Sequence, residues 1–303
     1  MESDTIKKVC VIISALALLT ACSGSSNSHE HVYNDPDCEN AAVCTICGEE
    51  IEPALGHTTE IGACARCGKV QNEKLLETLN EGFAVIMDAG NKMMGFVTNV
   101  STQNIEDQYT SFLDADVYAS EMKAKYNELI DACGNYEELA FMKYQLQVLN
   151  DANPAPITGN DEASIANQTV QYQLYLNQIS SSFNYLSNEM DYLAGNGGEP
   201  GKVLYFDEVE EMPTPDSVIY GISFDNKSEQ PGNIQYLYLI GPDENTAIMN
   251  YNNYLNILRN TDGLDVVLQD NYSIVNRNGT MVSAMMAGTD PKKGYFLMVT
   301  FQG

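Results

Sequence analysis

Residues 44–68 read CTICGEEIEPALGHTTEIGACARCG and contain two copies of a CxxCG motif, Cys44–Gly48 and Cys64–Gly68. Two cysteines at this spacing bind one metal ion on a tight turn, and the glycine that follows permits the left-handed backbone that closes the turn. The interval between the two motifs is typical of a zinc ribbon. The sequence therefore predicts a small module organised by metal, over residues 29–72.

The preferred ligand set consists of the four thiolates of the two motifs, Cys44, Cys47, Cys64 and Cys67. Four thiolates complete a tetrahedron around one zinc ion and leave no position for water or substrate. A closed site of this kind is structural, because catalytic zinc keeps one position open. The predicted cofactor is therefore structural zinc.

Three further side chains in the same window are candidate ligands, namely Cys38, His57 and His31. A site with three cysteines and one histidine would use Cys38, Cys44, Cys47 and His57. Such a site is also tetrahedral and closed, so it predicts the same structural role for the metal. The sequence leaves the choice between the two ligand sets open.

The spacing of histidine and cysteine is repeated within this window. Six residues separate His31 from Cys38, and six separate His57 from Cys64, which indicates a degenerate duplication and leaves two separate ions as a further alternative. Disulfide bonds are the alternative to metal, since export into an oxidising compartment favours them. The five cysteines of the window would then leave one unpaired, so metal is the preferred interpretation.

The stretch from His31 to His57 also resembles a repeat found in surface proteins of Gram-positive bacteria. The resemblance rests on Cys38, the motif Cys44–Gly48, the acidic residues after it and the sequence ALGH at residues 54–57. The interval between Cys38 and Cys44 is shorter here than in the repeat. The resemblance implies display at the cell surface and assigns no activity.

The first residues of the chain have the pattern of an export signal. Lys7 and Lys8 precede an apolar run, Val9 to Leu19, that is too short for a membrane-spanning helix. Residues 19–22, LTAC, resemble the lipobox of bacterial lipoproteins. The resemblance implies a cleaved signal peptide over residues 1–21, a lipid on Cys22 and anchoring to the outer face of a bacterial membrane. An ordinary signal peptide with a coincidental cysteine is the alternative.

The segment that follows, residues 22–28, is rich in serine and glycine and has the composition of a flexible tether. The whole chain carries a formal net charge of -27 with a pI near 4.1, which opposes binding to nucleic acid or to anionic lipid head groups. Nucleic acid is therefore excluded as a partner. The acidity is typical of a solvated surface, and the binding of cations or basic ligands is the other interpretation.

Helical periodicity dominates residues 73–195. The clearest helix is predicted from about Asp161 to Ala194, and shorter amphipathic stretches precede it. Each apolar stripe has to be buried against another, so the sequence predicts an antiparallel bundle of three or four helices. Cys133 lies on one of these stripes and is interpreted as a small buried hydrophobic side chain.

A glycine-rich linker is predicted over residues 196–202, and residues 203–303 then alternate in short apolar runs typical of strands. One run, Val218–Phe224, is predicted as a strand, and Asn245–Arg259 has the period of a helix. The prediction is an antiparallel sheet with one packed helix. The predicted fold class of the whole chain is therefore multidomain α+β: a zinc ribbon, a helical bundle and this last module.

The predicted α+β module contains neither histidine nor cysteine, which excludes catalytic triads and most transition-metal chemistry there. The sequence favours a non-enzymatic protein whose partners are the membrane, through the lipid on Cys22, and an unidentified protein or cell-envelope ligand. The rival hypothesis is a cell-envelope hydrolase. It would use a pair of carboxylates from the acidic cluster Asp207, Glu208, Glu210 and Glu211.

Overall fold

A computed structural model describes residues 30–98, 100, 103–269, 272–277, 280–290 and 292–302. The predicted signal peptide of residues 1–21, Cys22 and the rest of the tether lie outside the described residues. Helices and antiparallel sheets alternate along the described chain, so the predicted α+β class is confirmed. The chain divides into two compact units, Met1–Gly56 and His57–Gly303, and this division falls inside the predicted module of residues 29–72.

The first unit is built around a short hairpin. Strand β1 (Ala42–Val43) pairs antiparallel with β2 (Glu50–Glu52), and an isolated bridge joins Tyr33 to Cys44. Among the described residues of this unit, the buried side chains belong to Cys38, Ala42 and Cys44. Such small side chains cannot supply a core, so other interactions have to hold this unit.

The second unit begins with a hairpin of the same kind. Strand β3 (Gly62–Ala63) pairs antiparallel with β4 (Val70–Gln71), and the chain then enters the first long helix. Ile61, just before β3, is 1% exposed and belongs to the apolar core of the helices. This hairpin is therefore part of a larger packed structure.

Four long helices follow: α1 (Glu73–Val97), α2 (Ile105–Cys133), α3 (Ala140–Ala152) and α4 (Glu162–Leu193). A 3₁₀ turn, Glu137–Leu139, precedes α3. Their apolar stripes meet in one buried core, as the sequence predicts. The largest buried side chains of that core include Leu79, Ile86, Met93, Phe112, Met122, Tyr126, Leu129, Tyr172 and Tyr175.

Local signals in the sequence fix the ends of these helices. The side chain of Asn104 accepts a hydrogen bond from the Asp107 amide at the start of α2, and Asp161 caps α4 in the same way. Gly134 ends α2 with a positive φ of 54°. Cys133 is fully buried, as predicted, and burial raises the pKa of its thiol to about 11.

The C-terminal part forms a second core. A separate hairpin pairs β5 (Tyr205–Phe206) with β6 (Val209–Pro213), and the helical turn α5 (Pro215–Val218) follows. The main sheet has six antiparallel strands in the order β7-β8-β12-β11-β10-β9, and helix α6 (Glu244–Arg259) packs on it. Its strands are β7 (Ser223–Gln230), β8 (Asn233–Gly241), β9 (Asp265–Gln269), β10 (Tyr272–Arg277), β11 (Thr280–Asp290) and β12 (Gly294–Gln302).

The predicted strand Val218–Phe224 is only partly correct. Val218 closes the helical turn α5, and the strand begins at Ser223. Pro215 occupies the first turn of α5, where its fixed φ favours a helical start over a strand. The predicted helix of residues 245–259 is confirmed, with Ala247, Tyr254 and Leu258 buried against the sheet core.

Within the described part of the chain, none of the helices is long and apolar enough to cross a membrane.

Candidate metal centres

The first Cys/His group lies in the first unit and consists of His31, Cys44 and Cys47. One ligand atom from each residue lies within 4.8 Å of the others. The Nδ1 atom of His31 is 3.7 Å from Sγ of Cys47. Cys44 is 2% exposed, whereas Cys47 is exposed. The group is therefore open to solvent on one side.

The backbone of the first motif brings its two cysteines onto one tight turn, which we call knuckle 1 (Cys44–Gly48). The amide of Cys44 donates to the carbonyl of Glu49 at 2.8 Å, and the amide of Gly48 donates to the carbonyl of Cys44 at 2.9 Å. Gly48 has a φ of 76°, the left-handed conformation expected of the glycine in this motif. The glycine of this CxxCG motif therefore closes the turn as the sequence predicts.

The segment that carries His31 is tied to knuckle 1 by Thr45. Both the amide and the hydroxyl of Thr45 donate to the carbonyl of Val32, each at 2.9 Å. These two bonds hold His31 beside the turn, because Val32 is its neighbour in the chain. A histidine 16 positions before Cys47 is thereby placed within reach of a shared ion.

Glu49 lies near the other ring nitrogen of His31. Its Oε2 lies 3.6 Å from Nε2 of His31, while Nδ1 of the same ring faces Cys47. A carboxylate on the second ring nitrogen is the usual environment of a metal-binding histidine. The amide of Glu49 lowers the pKa of Cys47, but desolvation and the neighbouring Cys44 outweigh it and leave that pKa raised.

The second group lies in the second unit and consists of His57, Cys64 and Cys67, whose ligand atoms also lie within 4.8 Å of one another. The Nδ1 atom of His57 is 3.5 Å from Sγ of Cys67. The hydroxyl and the amide of Thr58 both donate to Sγ of Cys64, at 3.4 and 3.5 Å. These bonds lower the pKa of Cys64 to about 4, which favours the thiolate that a metal requires.

The second turn, knuckle 2 (Cys64–Gly68), has the same backbone as knuckle 1. The amide of Cys64 donates to the carbonyl of Lys69 at 3.0 Å, and the amide of Gly68 donates to the carbonyl of Cys64 at 2.7 Å. Gly68 has a φ of 74°. The two CxxCG motifs therefore adopt the same turn, whereas the repeat of six residues between histidine and cysteine stays a prediction.

Knuckle 2 is also attached to the helices. Glu138 accepts hydrogen bonds from the Thr59 hydroxyl at 2.7 Å and from the Glu60 amide at 2.9 Å. A side chain on Gly62 would meet the carbonyl oxygen of Leu193 at 2.9 Å, so β3 lies directly against the end of α4. Both contacts bind the loop that carries His57 to the helical core.

The structure thus groups each cysteine pair with a histidine. His31, which the sequence ranks only as an alternative ligand, belongs to the first group, and His57 belongs to the second. The single four-cysteine site and the site with three cysteines and one histidine both join residues of the two units, and they stay predictions. Cys38 is buried in the first unit, and its role as a ligand also stays a prediction.

Two supporting residues were not predicted from the sequence, Glu49 and Thr58. Their closeness to a ligand in the sequence is the signal that would have identified them, since Glu49 lies two residues after Cys47 and Thr58 follows His57.

Cys/His groups of this composition can hold a metal ion. Thiolate and imidazole ligands suit zinc better than magnesium or calcium, which prefer oxygen. None of the six cysteines in the described part of the chain forms a disulfide bond.

The acidic cluster of the rival hydrolase lies on and beside the hairpin β5–β6. Both carboxylate oxygens of Glu208 accept from the hydroxyl of Tyr236 at 3.0 Å, and Nζ of Lys227 is 3.6 Å from Oε1. Asp207 and Glu210 are exposed. Glu208 is thus held by the sheet, and the hydrolase stays a prediction.

Comparison of the chain with protein-family profiles, with curated proteins and with solved structures gives no match.

Proposed function

We propose that this chain is an exported protein, anchored to the outer face of a bacterial membrane by a lipid on Cys22, whose two Cys/His groups each bind a structural zinc ion. The observation that carries the zinc proposal is the pairing of each knuckle with its own histidine, at 3.7 Å in the first group and 3.5 Å in the second. The lipid anchor is supported by the sequence of residues 19–22.

In this proposal zinc has a structural role, and the surroundings of the first Cys/His group are the reason. The first unit buries no large apolar side chain among its described residues, so a bound ion would supply the free energy that a core normally supplies. Structural zinc is four-coordinate, and each group offers three ligands from its own unit. Cys38 is the sequence-based candidate for a fourth.

The remaining parts have no chemistry of their own in this proposal. The helical bundle is a spacer, and the sheet with α6 is the part that meets a protein or cell-envelope ligand. The absence of histidine and cysteine from residues 203–303 supports a binding role over a nucleophilic enzyme.

Elemental analysis of the purified mature protein, together with a count of its reduced thiols, tests the zinc proposal. We expect two zinc ions per chain and fully reduced cysteines. Cys38→Ser tests whether Cys38 is a fourth ligand. We expect this variant to weaken zinc binding at one of the two Cys/His groups and to leave the other unchanged. Protein without zinc and with oxidised thiols would assign the cysteines to disulfides and overturn the proposal.

The lipid anchor is tested by detergent partitioning of Cys22→Ala. We expect the wild-type protein in the detergent phase and the variant in the aqueous phase or left unprocessed, because only a lipidated Cys22 supplies the acyl chains. Cys10→Ala is the matched control, since Cys10 lies inside the predicted signal peptide, and it should partition like the wild type. A Cys22→Ala protein that is processed normally and stays in the detergent phase contradicts the anchor.

A further inference from the structure

A cavity of about 970 Å³ lies in the second unit, where the loop before knuckle 2 meets the 3₁₀ turn, α3, the end of α4 and the linker to β5. Its size is at the upper end of the range typical of small-molecule sites. Neither of the Cys/His groups lines it. The cavity therefore needs an explanation of its own.

Negative charge dominates the lining of this cavity. It contains the carboxylates of Glu60, Glu137, Glu138 and Glu189 against the single ammonium of Lys202. An anionic ligand would be repelled, whereas a cation would be attracted. Among the described residues, these carboxylates do not form a group close enough to share one metal ion. The charge is spread over the walls, as suits a larger cation.

Aromatic rings supply the rest of the wall. Tyr136, Phe141, Tyr144, Tyr192 and Tyr205 all line the cavity. The face of an aromatic ring attracts a cation that has given up part of its water, and a substituted ammonium gives up water more easily than a metal ion does. A lining of aromatic rings and carboxylates is therefore suited to an organic cation whose charged nitrogen carries apolar substituents.

Glu189 is the most buried of the four carboxylates, with 2% of the residue exposed. Its Oε2 accepts a hydrogen bond from the amide of Gly201 at 2.6 Å, which fixes the linker across the cavity. Gly201 has no room for a side chain, because a Cβ there would clash with the ring of Phe141. Burial raises the pKa of Glu189, since the charged form loses solvation. A cation beside this carboxylate would stabilise its charged form and so offset the loss of solvation.

We propose that this cavity binds a small organic cation, a substituted ammonium group, between the carboxylate of Glu189 and the aromatic rings. The proposal does not depend on zinc or on the lipid anchor, because neither a Cys/His ligand nor Cys22 lines the cavity.

A ligand-detected NMR titration of the mature protein with tetramethylammonium chloride, at ionic strength held constant with sodium chloride, tests this proposal. We expect saturable binding that Glu189→Gln weakens at least about tenfold, because the buried charge is removed. Asp191→Asn is the matched control: Asp191 is exposed on the same helix and does not line the cavity, so its variant should bind like the wild type.

A second pair of variants tests the contribution of the Tyr192 ring separately from that of the Glu189 charge. This pair also tests the proposal if Glu189→Gln does not fold. Tyr192→Phe keeps an aromatic face and should bind within about twofold of the wild type, whereas Tyr192→Ala should bind several-fold more weakly. Binding that is absent in the wild type, or equal in wild type and Tyr192→Ala, overturns the proposal. Saturable binding of acetate at the same site would overturn it as well.

Discussion

Knuckle 1 and knuckle 2 share one backbone and differ in what surrounds them. Each has the same pair of amide-to-carbonyl bonds and a glycine near a φ of 75°, with 76° at Gly48 and 74° at Gly68. The loop of knuckle 2 is bonded to Glu138 and rests on Leu193, whereas the first unit buries only small side chains among its described residues. The same motif thus stands once on a packed core and once without one.

A bound metal ion can therefore contribute different shares of the folding free energy in two copies of one motif. Where a core exists, the ion adds to contacts that already hold the loop. Where no core exists, the free energy of metal binding is the free energy of folding. We therefore expect the first unit to depend on metal far more strongly than knuckle 2.

The largest effect is expected on removal of the metal. A chelator should reduce the hydrogen-exchange protection of the Cys44 amide at least about 100-fold, because the proposed ion no longer holds knuckle 1 and the described residues of the first unit bury only small side chains. The Cys64 amide should lose less than about tenfold, since Glu138 and Leu193 still hold its loop. Amide exchange followed by NMR measures both. Equal loss at the two amides would show that the helical core does not support knuckle 2.

A smaller effect is expected from a side chain at Gly62. Gly62→Ala combines a φ of 84° with a contact to the Leu193 carbonyl, so we expect the second unit to lose about 2 to 3 kcal/mol. Gly48→Ala is the matched control, because Gly48 has a similar φ but open space around it. It should cost about 1 kcal/mol in the first unit and leave helix melting unchanged.

Urea denaturation followed by helical circular dichroism distinguishes the two glycine variants. A Gly62→Ala protein as stable as the wild type would mean that β3 does not rest on α4.

The smallest effect is expected at Glu138. Glu138→Ala removes the acceptor of two hydrogen bonds from the loop, and we expect a loss of about 1 to 2 kcal/mol. Glu137→Ala is the control, since Glu137 is exposed and lies on the same 3₁₀ turn. The exchange rate of the Cys64 amide in the metal-free protein measures the loss. If the Cys64 amide exchanges at the same rate in both variants, the hydrogen bonds to Glu138 contribute nothing to the stability of the loop.

Local features of the fold could be predicted from the sequence. The helix expected from Asp161 to Ala194 is Glu162–Leu193 in the structure, because its stripe and its capping aspartate are both local signals. Each CxxCG turn was predictable for the same reason, since four or five residues determine it. The error at residues 218–224 arose where one proline decided between a helical turn and a strand.

The grouping of ligands could not be predicted in the same way. The sequence places His31 beside several cysteines, and the two bonds from Thr45 to Val32 decide that it faces Cys47. The cavity was beyond prediction as well, because Glu60, Glu138 and Glu189 come together only when the loop, the turn and α4 pack. Contacts between distant segments depend on packing that periodicity does not encode.

Native mass spectrometry of the zinc-loaded protein tests most directly whether each knuckle has its own ion. We predict two zinc ions on the wild type, one on the variant Cys44→Ser/Cys47→Ser and one on the variant Cys64→Ser/Cys67→Ser. One zinc on the wild type and none on either double variant would mean a single site shared by the four cysteines, and the proposal of one ion for each knuckle would be wrong.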